Sequence, residues 1–275
     1  MPGEITSIRS PRVKAARQLA KRAFRDRSRT FLAEGPQAVR EALELPGTLL
    51  ELFVTGAARD RHAGLVGRAA ALSVPVHAVS GEVMAELAQT VTPQGLLAVC
   101  RFLDVSLDEL LAARPRLVAV LASVRDPGNA GTVLRTADAA GAQGVIFTAA
   151  SVDPYNSKCV RSSAGSLFHL PVVTGAEPGA TAAALRDAGL QLLAADGSAT
   201  TAAGGRVLDA AGTGPWLARP TAWLFGNEAW GLPPEVLSLA DAPVAVPIYG
   251  RAESLNLAAA AAVCLYASAA AQRAG

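Results

Sequence analysis

From Leu117 onward, short apolar runs alternate with segments of helical periodicity, and this rhythm constrains the fold more than any other feature. Apolar runs at 117–123, 144–148, 170–173, 190–195, 221–226 and 243–248 read as strands. The stretches 129–140, 155–164, 180–188, 233–239 and 255–271 read as helices between and after them. Strands separated by helices imply a parallel sheet with right-handed crossovers. The first hundred residues alternate too, on a smaller scale, with strands expected at 30–33, 49–55, 74–79 and 95–102. The expected domains are therefore 1–103 and 117–275, with 104–116 as the connection. A Gly-, Ala- and Thr-rich stretch at 196–215 reads as a loop.

Composition supports a packed α/β protein. Of 275 residues, 51% are hydrophobic and 17% charged, which suits a sizeable core and not a disordered chain. Cys100, Cys159 and Cys264 are far apart and lack C-x-x-C spacing, so neither a zinc site nor a disulfide framework is indicated. A reducing cytoplasm is the expected setting, and no apolar stretch at the start suggests a secretory signal. The run from Leu255 to Ala271 is long enough to raise a membrane question, but it is mostly alanine and is interrupted by Asn256 and Ser268, so a buried helix is expected.

The net charge of +2 conceals an uneven distribution. Arg9, Arg12, Lys14, Arg17, Lys21, Arg22, Arg25, Arg27 and Arg29 are opposed locally only by Asp26. Ser10 and Pro11 suit a helix start, and a helix over 11–24 would set Lys14, Arg17, Lys21 and Arg25 on one side. Such a face fits a polyanion, and it equally fits a solvated surface.

Three segments put glycines and polar side chains directly after an apolar strand. Residues 124–136 read V-R-D-P-G-N-A-G-T-V-L-R-T: Asn129 can cap the following helix, Gly131 allows close backbone approach, and the helix start favours an anion. An ordinary strand–turn–helix junction explains the same residues. G-K-[ST] and G-x-G-x-x-G are both absent, so neither standard nucleotide fingerprint applies. Residues 224–232 read L-F-G-N-E-A-W-G-L, where Gly226 would let a ligand lie against backbone and Glu228 could bond it. Residues 244–257 read V-A-V-P-I-Y-G-R-A-E-S-L-N-L, with Ser254 and Asn256 opening the last helix. No histidine stands near enough in sequence for a hydrolytic triad; His62, His77 and His169 lie in unrelated segments.

In this order and position, N-x-G-x-x-x-R-T, L-F-G-N-E-x-x-G-L and V-P-I-x-G-x-x-E-S-L-N resemble the three motifs of the SpoU (TrmH-like) branch of the SPOUT RNA methyltransferases, over about residues 117–271. The basic N-terminal part resembles, less closely, the L30e-like substrate domain of rRNA-modifying members such as thiostrepton-resistance-type enzymes. The resemblance implies an α/β fold closed by a deep trefoil knot, a homodimer, and S-adenosylmethionine held by Gly226, Val246, Ile248 and Leu255, with Ala195 at a neighbouring strand end. It assigns the chemistry to Arg135, with Asn129, Glu228, Ser254 and Asn256 orienting the reacting groups, and gives RNA binding to Arg161. Methylation of a ribose 2′-hydroxyl, in rRNA ahead of tRNA, is the expected activity, with no metal required. A non-catalytic RNA-binding relative and a doubly wound small-molecule enzyme are the alternatives.

Overall fold

A computed structural model describes residues 3–88, 90–199, 204–208 and 214–274. The chain divides into two compact units. The smaller ends at Leu103 and also takes in Tyr155–Phe168; the larger comprises Asp104–Pro154 and the chain from His169.

The smaller unit is built on a four-stranded sheet: β1 (Thr30–Glu34), β2 (Leu49–Val54), β3 (Val76–Ala78) and β4 (Leu96–Arg101), in the order β1-β4-β2-β3. β4 runs antiparallel to both β1 and β2, whereas β2 and β3 are parallel. One hydrophobic cluster joins Val13, Ala16 and Leu19 to Leu32, Phe53, Leu97 and the helix residues Val83, Met84 and Leu87. Around Phe31, Tyr155 and Phe168 pack at ring separations of 4.8 and 6.0 Å. Tyr155 also stacks on Phe102 at 3.8 Å, and its hydroxyl accepts the Leu103 amide at 2.7 Å. These aromatic contacts explain why Tyr155–Phe168 groups with this unit and not with the strands that flank it in sequence.

The expected basic helix over 11–24 is interrupted. Helices span Pro11–Gln18 and Arg22–Ser28, and Ser10 makes no side-chain cap. Arg25 closes the gap between them: its guanidinium donates to the carbonyls of Leu19 and Ala20 at 2.8 and 2.9 Å, and the residue is only 3% exposed. A cation folded back onto carbonyls at a helix end satisfies acceptors that the helix itself leaves open.

The larger unit holds a seven-stranded sheet: β5 (Leu117–Leu121), β6 (Gly144–Thr148), β7 (Val172–Ala176), β8 (Gln191–Ala195), β9 (Arg206–Val207), β10 (Thr221–Phe225) and β11 (Ala242–Ala245). The order is β7-β6-β5-β10-β8-β11-β9, and every pairing is parallel. β5, β6 and β10 are buried along their whole length, as parallel strands covered on both faces must be. β9 lies within the stretch expected to be loop, of which 200–203 and 209–213 are outside the described residues. The stretch 104–116 is no free connection. Its helix Leu107–Ala112 starts with a reciprocal Ser106–Glu109 capping box and drives Leu110 into the core of the sheet.

The last helix, Leu257–Ala274, is long and apolar enough by composition to cross a membrane, but it packs as part of the core. Ala258, Ala261, Cys264, Leu265 and Ala269 are buried, and Ser268 accepts a hydrogen bond from Trp223 Nε1 at 2.9 Å. Small side chains let this helix lie close to the helix Pro127–Ala140. Trp223 is fully buried, and replacing it with alanine would cost roughly 3–5 kcal/mol.

Candidate functional site

The carboxyl ends of β8, β10 and β11 face a cavity of about 260 Å³. Open α/β sheets place ligands at this edge, where strand order departs from chain order. Ala195, Gly226, Val246, Ile248 and Leu255, the five residues expected to hold a cofactor, all line it. Ser254 and Glu228 line it as well. The strand expected over 243–248 stops at Ala245, so Val246 and Ile248 reach the cavity from irregular chain.

Sterics fix the loop after β10. Asn227 and Gly231 exchange backbone hydrogen bonds of 2.8 and 2.9 Å, which folds 227–231 into a tight turn. A Cβ on Gly226 would lie 2.3 Å from the carbonyl carbon of Gly231 and 2.4 Å from the nitrogen of Leu232. Glycine is the residue this backbone approach admits. Asn227 is buried; its Nδ2 donates to the carbonyl of Ser123 at 3.1 Å, and its Oδ1 accepts the Ala229 amide at 2.9 Å. It therefore ties the loop after β10 to the loop after β5. The motif L-F-G-N-E contains this asparagine, yet sequence reasoning passed over it, because its work is done across the sheet. Asp196, directly after β8, is a second lining residue that was missed; it follows Ala195 at the strand end.

Three of the five polar candidates meet in a chain of hydrogen bonds. Asn129 Nδ2 donates to Glu228 Oε1 at 2.9 Å, and Asn256 Nδ2 donates to Asn129 Oδ1 at 3.2 Å. Asn129 is free to do so because it is not the helix cap expected from sequence. The helix Pro127–Ala140 begins two residues earlier, with Asp126 Oδ1 accepting the Asn129 amide at 2.8 Å. Asn256 sits just before the last helix and accepts the Ala258 amide at 2.9 Å, while Ser254 lies in the loop ahead of it. Arg135 is not part of this chain. It stands exposed in the third turn of the same helix as Asn129, with no hydrogen bond or ion pair among the described residues.

One of the candidate RNA contacts needs correction. Arg25 is buried and serves the turn between two helices, so it cannot present its charge to a polyanion. Arg161, expected to be an RNA ligand, has its side chain 31% exposed and 3.6 Å from the Glu34 carboxylate, within the smaller unit. Arg17 pairs with Glu86, and Arg12 with Glu51 at 3.3 Å. Lys14 and Lys21 are exposed and make no ion pair among the described residues. Of the cysteines, Cys264 is pushed up to about 12 by burial and Cys100 higher still, so neither offers a thiolate. Among the described residues, no group of three metal-ligating side chains occurs.

Residues 116–266 match the SpoU rRNA methylase family, and residues 10–98 match an MRM3-like substrate binding domain. The chain is 33% identical over 270 residues to 23S rRNA (guanosine(2553)-2′-O)-methyltransferase RlmP of Bacillus subtilis, covering 96% of this chain and 98% of the relative. It is 36% identical over 179 residues to 23S rRNA (uridine(2479)-2′-O)-methyltransferase of Streptomyces viridochromogenes, covering 63% of this chain and 59% of that one. Among solved structures, the AdoMet-bound rRNA methyltransferase from Sinorhizobium meliloti superposes with a TM-score of 0.82 at 32% identity, covering 97% of both chains. The SpoU methyltransferase AviRb from Streptomyces viridochromogenes, in complex with AdoMet, superposes with a TM-score of 0.81 at 29% identity, covering 97% of this chain and 100% of that one.

Proposed function

The chain belongs to the SpoU rRNA methylase family, and from this premise we infer that it transfers the methyl group of S-adenosylmethionine to a ribose 2′-hydroxyl of 23S rRNA. The observation that carries the reading is the single cavity on which Ala195, Gly226, Val246, Ile248 and Leu255 converge, with Glu228 joining it to Asn129 and Asn256.

The lining suits the cofactor. Val246, Ile248 and Leu255 offer apolar surface for a flat base, the backbone at Gly226 is bare enough for close approach, and Asp196 can accept from sugar hydroxyls. Bound there, S-adenosylmethionine supplies an electrophilic methyl group on a sulfonium. Asn129, Glu228 and Asn256 restrain one another and so present fixed polar groups to the incoming ribose. Ser254 lines the same cavity and adds a hydroxyl that orients the reacting groups. An arginine guanidinium keeps its proton in a protein. Arg135 therefore acts as a cation that positions an RNA phosphate and stabilises the alkoxide as the 2′-hydroxyl gives its proton to solvent water.

The remaining elements of the proposal concern assembly. The residues leading from β11 into the last helix form the threaded part of a trefoil knot. Two copies form the working enzyme, with Arg135 acting beside the partner's cofactor site. The exposure of Val263, Tyr266 and Tyr249 supports a covered face of this kind. Residues 1–103, the greater part of the smaller unit, are the RNA-binding arm, with Lys14 and Lys21 contributing charge and Arg161, from the 155–168 segment of the same unit, held beside Glu34. The enzyme works in the cytoplasm, where its substrate is found.

Transfer of labelled methyl groups to 23S rRNA, followed by mass-spectrometric mapping of 2′-O-methyl sites, tests the reading. The wild-type protein is expected to label one ribose, and absence of any 2′-O-methyl product refutes the activity. Arg135→Ala is expected to abolish transfer while cofactor binding persists; unchanged transfer refutes the role given to Arg135.

A further inference from the structure

Trp230 is conspicuous among the tryptophans. Trp223 is fully buried and Trp216 half-buried, yet Trp230 is 58% exposed. Leaving a large indole in water forgoes the stabilisation that burial would bring, so the fold itself does not require it there. Its backbone is nevertheless held in a closed turn. Trp230 belongs to the turn closed by the two Asn227–Gly231 backbone hydrogen bonds, and its neighbours Ala229 and Gly231 both line the cofactor cavity. The guanidinium of Arg125, exposed in the loop after β5, lies 5.4 Å from the Trp230 ring centre. The hydrogen bond from Asn227 to the Ser123 carbonyl ties these two loops together. The arginine thus lies over one side of a largely exposed indole, two residues from Glu228, which bonds Asn129.

We propose that this surface is a stacking platform for RNA, on which Trp230 takes the face of an unstacked nucleobase at the target ribose and Arg125 takes the adjoining phosphate. A single-stranded or flipped base presents a π-face that an indole recognises whatever the base, and arginine favours both the aromatic plane and the phosphate. The platform would hold the nucleoside while Asn129, Glu228 and Asn256 orient its ribose. The proposal rests on the methyl-transfer reading above and adds to it a residue that selects for an unstacked nucleotide.

The test uses full-length protein and an in vitro transcribed 23S rRNA that the wild type methylates. Trp230→Ala is expected to lower kcat/KM for RNA by roughly 5- to 150-fold, the range that loss of one base–aromatic stack produces. Its Kd for S-adenosylmethionine should stay within about twofold, and its solution mass should be unchanged. Trp230→Phe, which keeps an aromatic face, should recover most of the loss. RNA should quench tryptophan fluorescence in the wild type more than in Trp230→Phe. If the wild type methylates no RNA, the underlying activity is wrong. If it does, and Trp230→Ala matches it within twofold, the platform is refuted. A change in cofactor affinity or oligomeric mass as large as the loss in kcat/KM also overturns the proposal, by assigning Trp230 to the loop or to a subunit interface.

Discussion

Replacing Gly226 with alanine should uncouple cofactor binding from folding. The added Cβ would sit 2.3 Å from the Gly231 carbonyl carbon, 2.4 Å from the Leu232 nitrogen and 2.5 Å from the Gly231 oxygen. Carbon contacts relax near 3.5 Å, so the turn must open by about 1 Å. All three opposing atoms are backbone, and no side chain can swing aside. Overpacking of this kind costs about 1–3 kcal/mol. Part of that strain is relieved by loosening the 2.8 and 2.9 Å bonds between Asn227 and Gly231, which displaces Glu228. Rebuilding the turn on binding then weakens S-adenosylmethionine by roughly 5- to 150-fold, since each 1.4 kcal/mol is about tenfold. Titration calorimetry measures this directly, and thermal unfolding should show a fall of about 2–4 °C per kcal/mol. The control is Gly67→Ala, inside the helix Ala63–Ala71, where an added Cβ meets nothing within 4 Å. It should leave cofactor affinity unchanged and add up to about 1 kcal/mol of stability. Wild-type cofactor affinity in Gly226→Ala would refute the claim that this backbone approach shapes the cavity.

Asn129→Ala removes the central member of the hydrogen-bonded chain and should lower kcat about 100-fold in single-turnover methylation, with the Kd for cofactor within a few-fold of wild type. Arg25→Ala strands the Leu19 and Ala20 carbonyls and should destabilise the smaller unit by roughly 2–3 kcal/mol in urea unfolding, without altering the salt dependence of RNA binding. Neutralising Lys14 and Lys21 together should do the reverse, flattening the slope of log Kd against log salt while leaving unfolding unchanged. The His77 imidazole is held below its ordinary range, first by burial and then by the nearby Arg12, and these outweigh the pull of Glu51. Folding therefore favours its neutral form: its contribution to stability is present above the unfolded histidine range near pH 6.5 and is lost as pH falls toward the lower folded value. Unfolding measured across pH 5–7 should show a shallower acid-side decline in His77→Gln than in wild type.

The strand periodicity from Leu117 was readable because buried parallel strands are apolar throughout, and β5, β6, β8 and β10 form where those runs lie. That Ala195, Gly226, Val246, Ile248 and Leu255 share one cavity was legible in part, because glycine and polar residues stand directly after strands, where bare backbone can face a ligand. Other features depended on partners distant in sequence. Arg25 looked like one more surface cation until two carbonyls of the preceding helix came within reach of it. Asn129 looked like a cap, and only Asp126, three residues earlier, releases it for Glu228. The helix expected over 155–164 reads as an ordinary crossover until Phe31 supplies the ring that Tyr155 packs on. Trp230 carries no periodic signal, because its placement depends on a turn closed by backbone alone.

The Asn256–Asn129 hydrogen bond links residues 127 positions apart, and Asn129–Glu228 spans 99. During synthesis, β5, β6 and β7 emerge before β10, which must insert beside β5, and the segment after β11 must dock before the cavity exists. Contacts this remote in sequence form late and slowly. The cavity is thus unfinished until the final helix, which supplies Leu257 and Ala260, is made: a chain whose synthesis stops before Leu257 holds every strand of the sheet and an incomplete cavity.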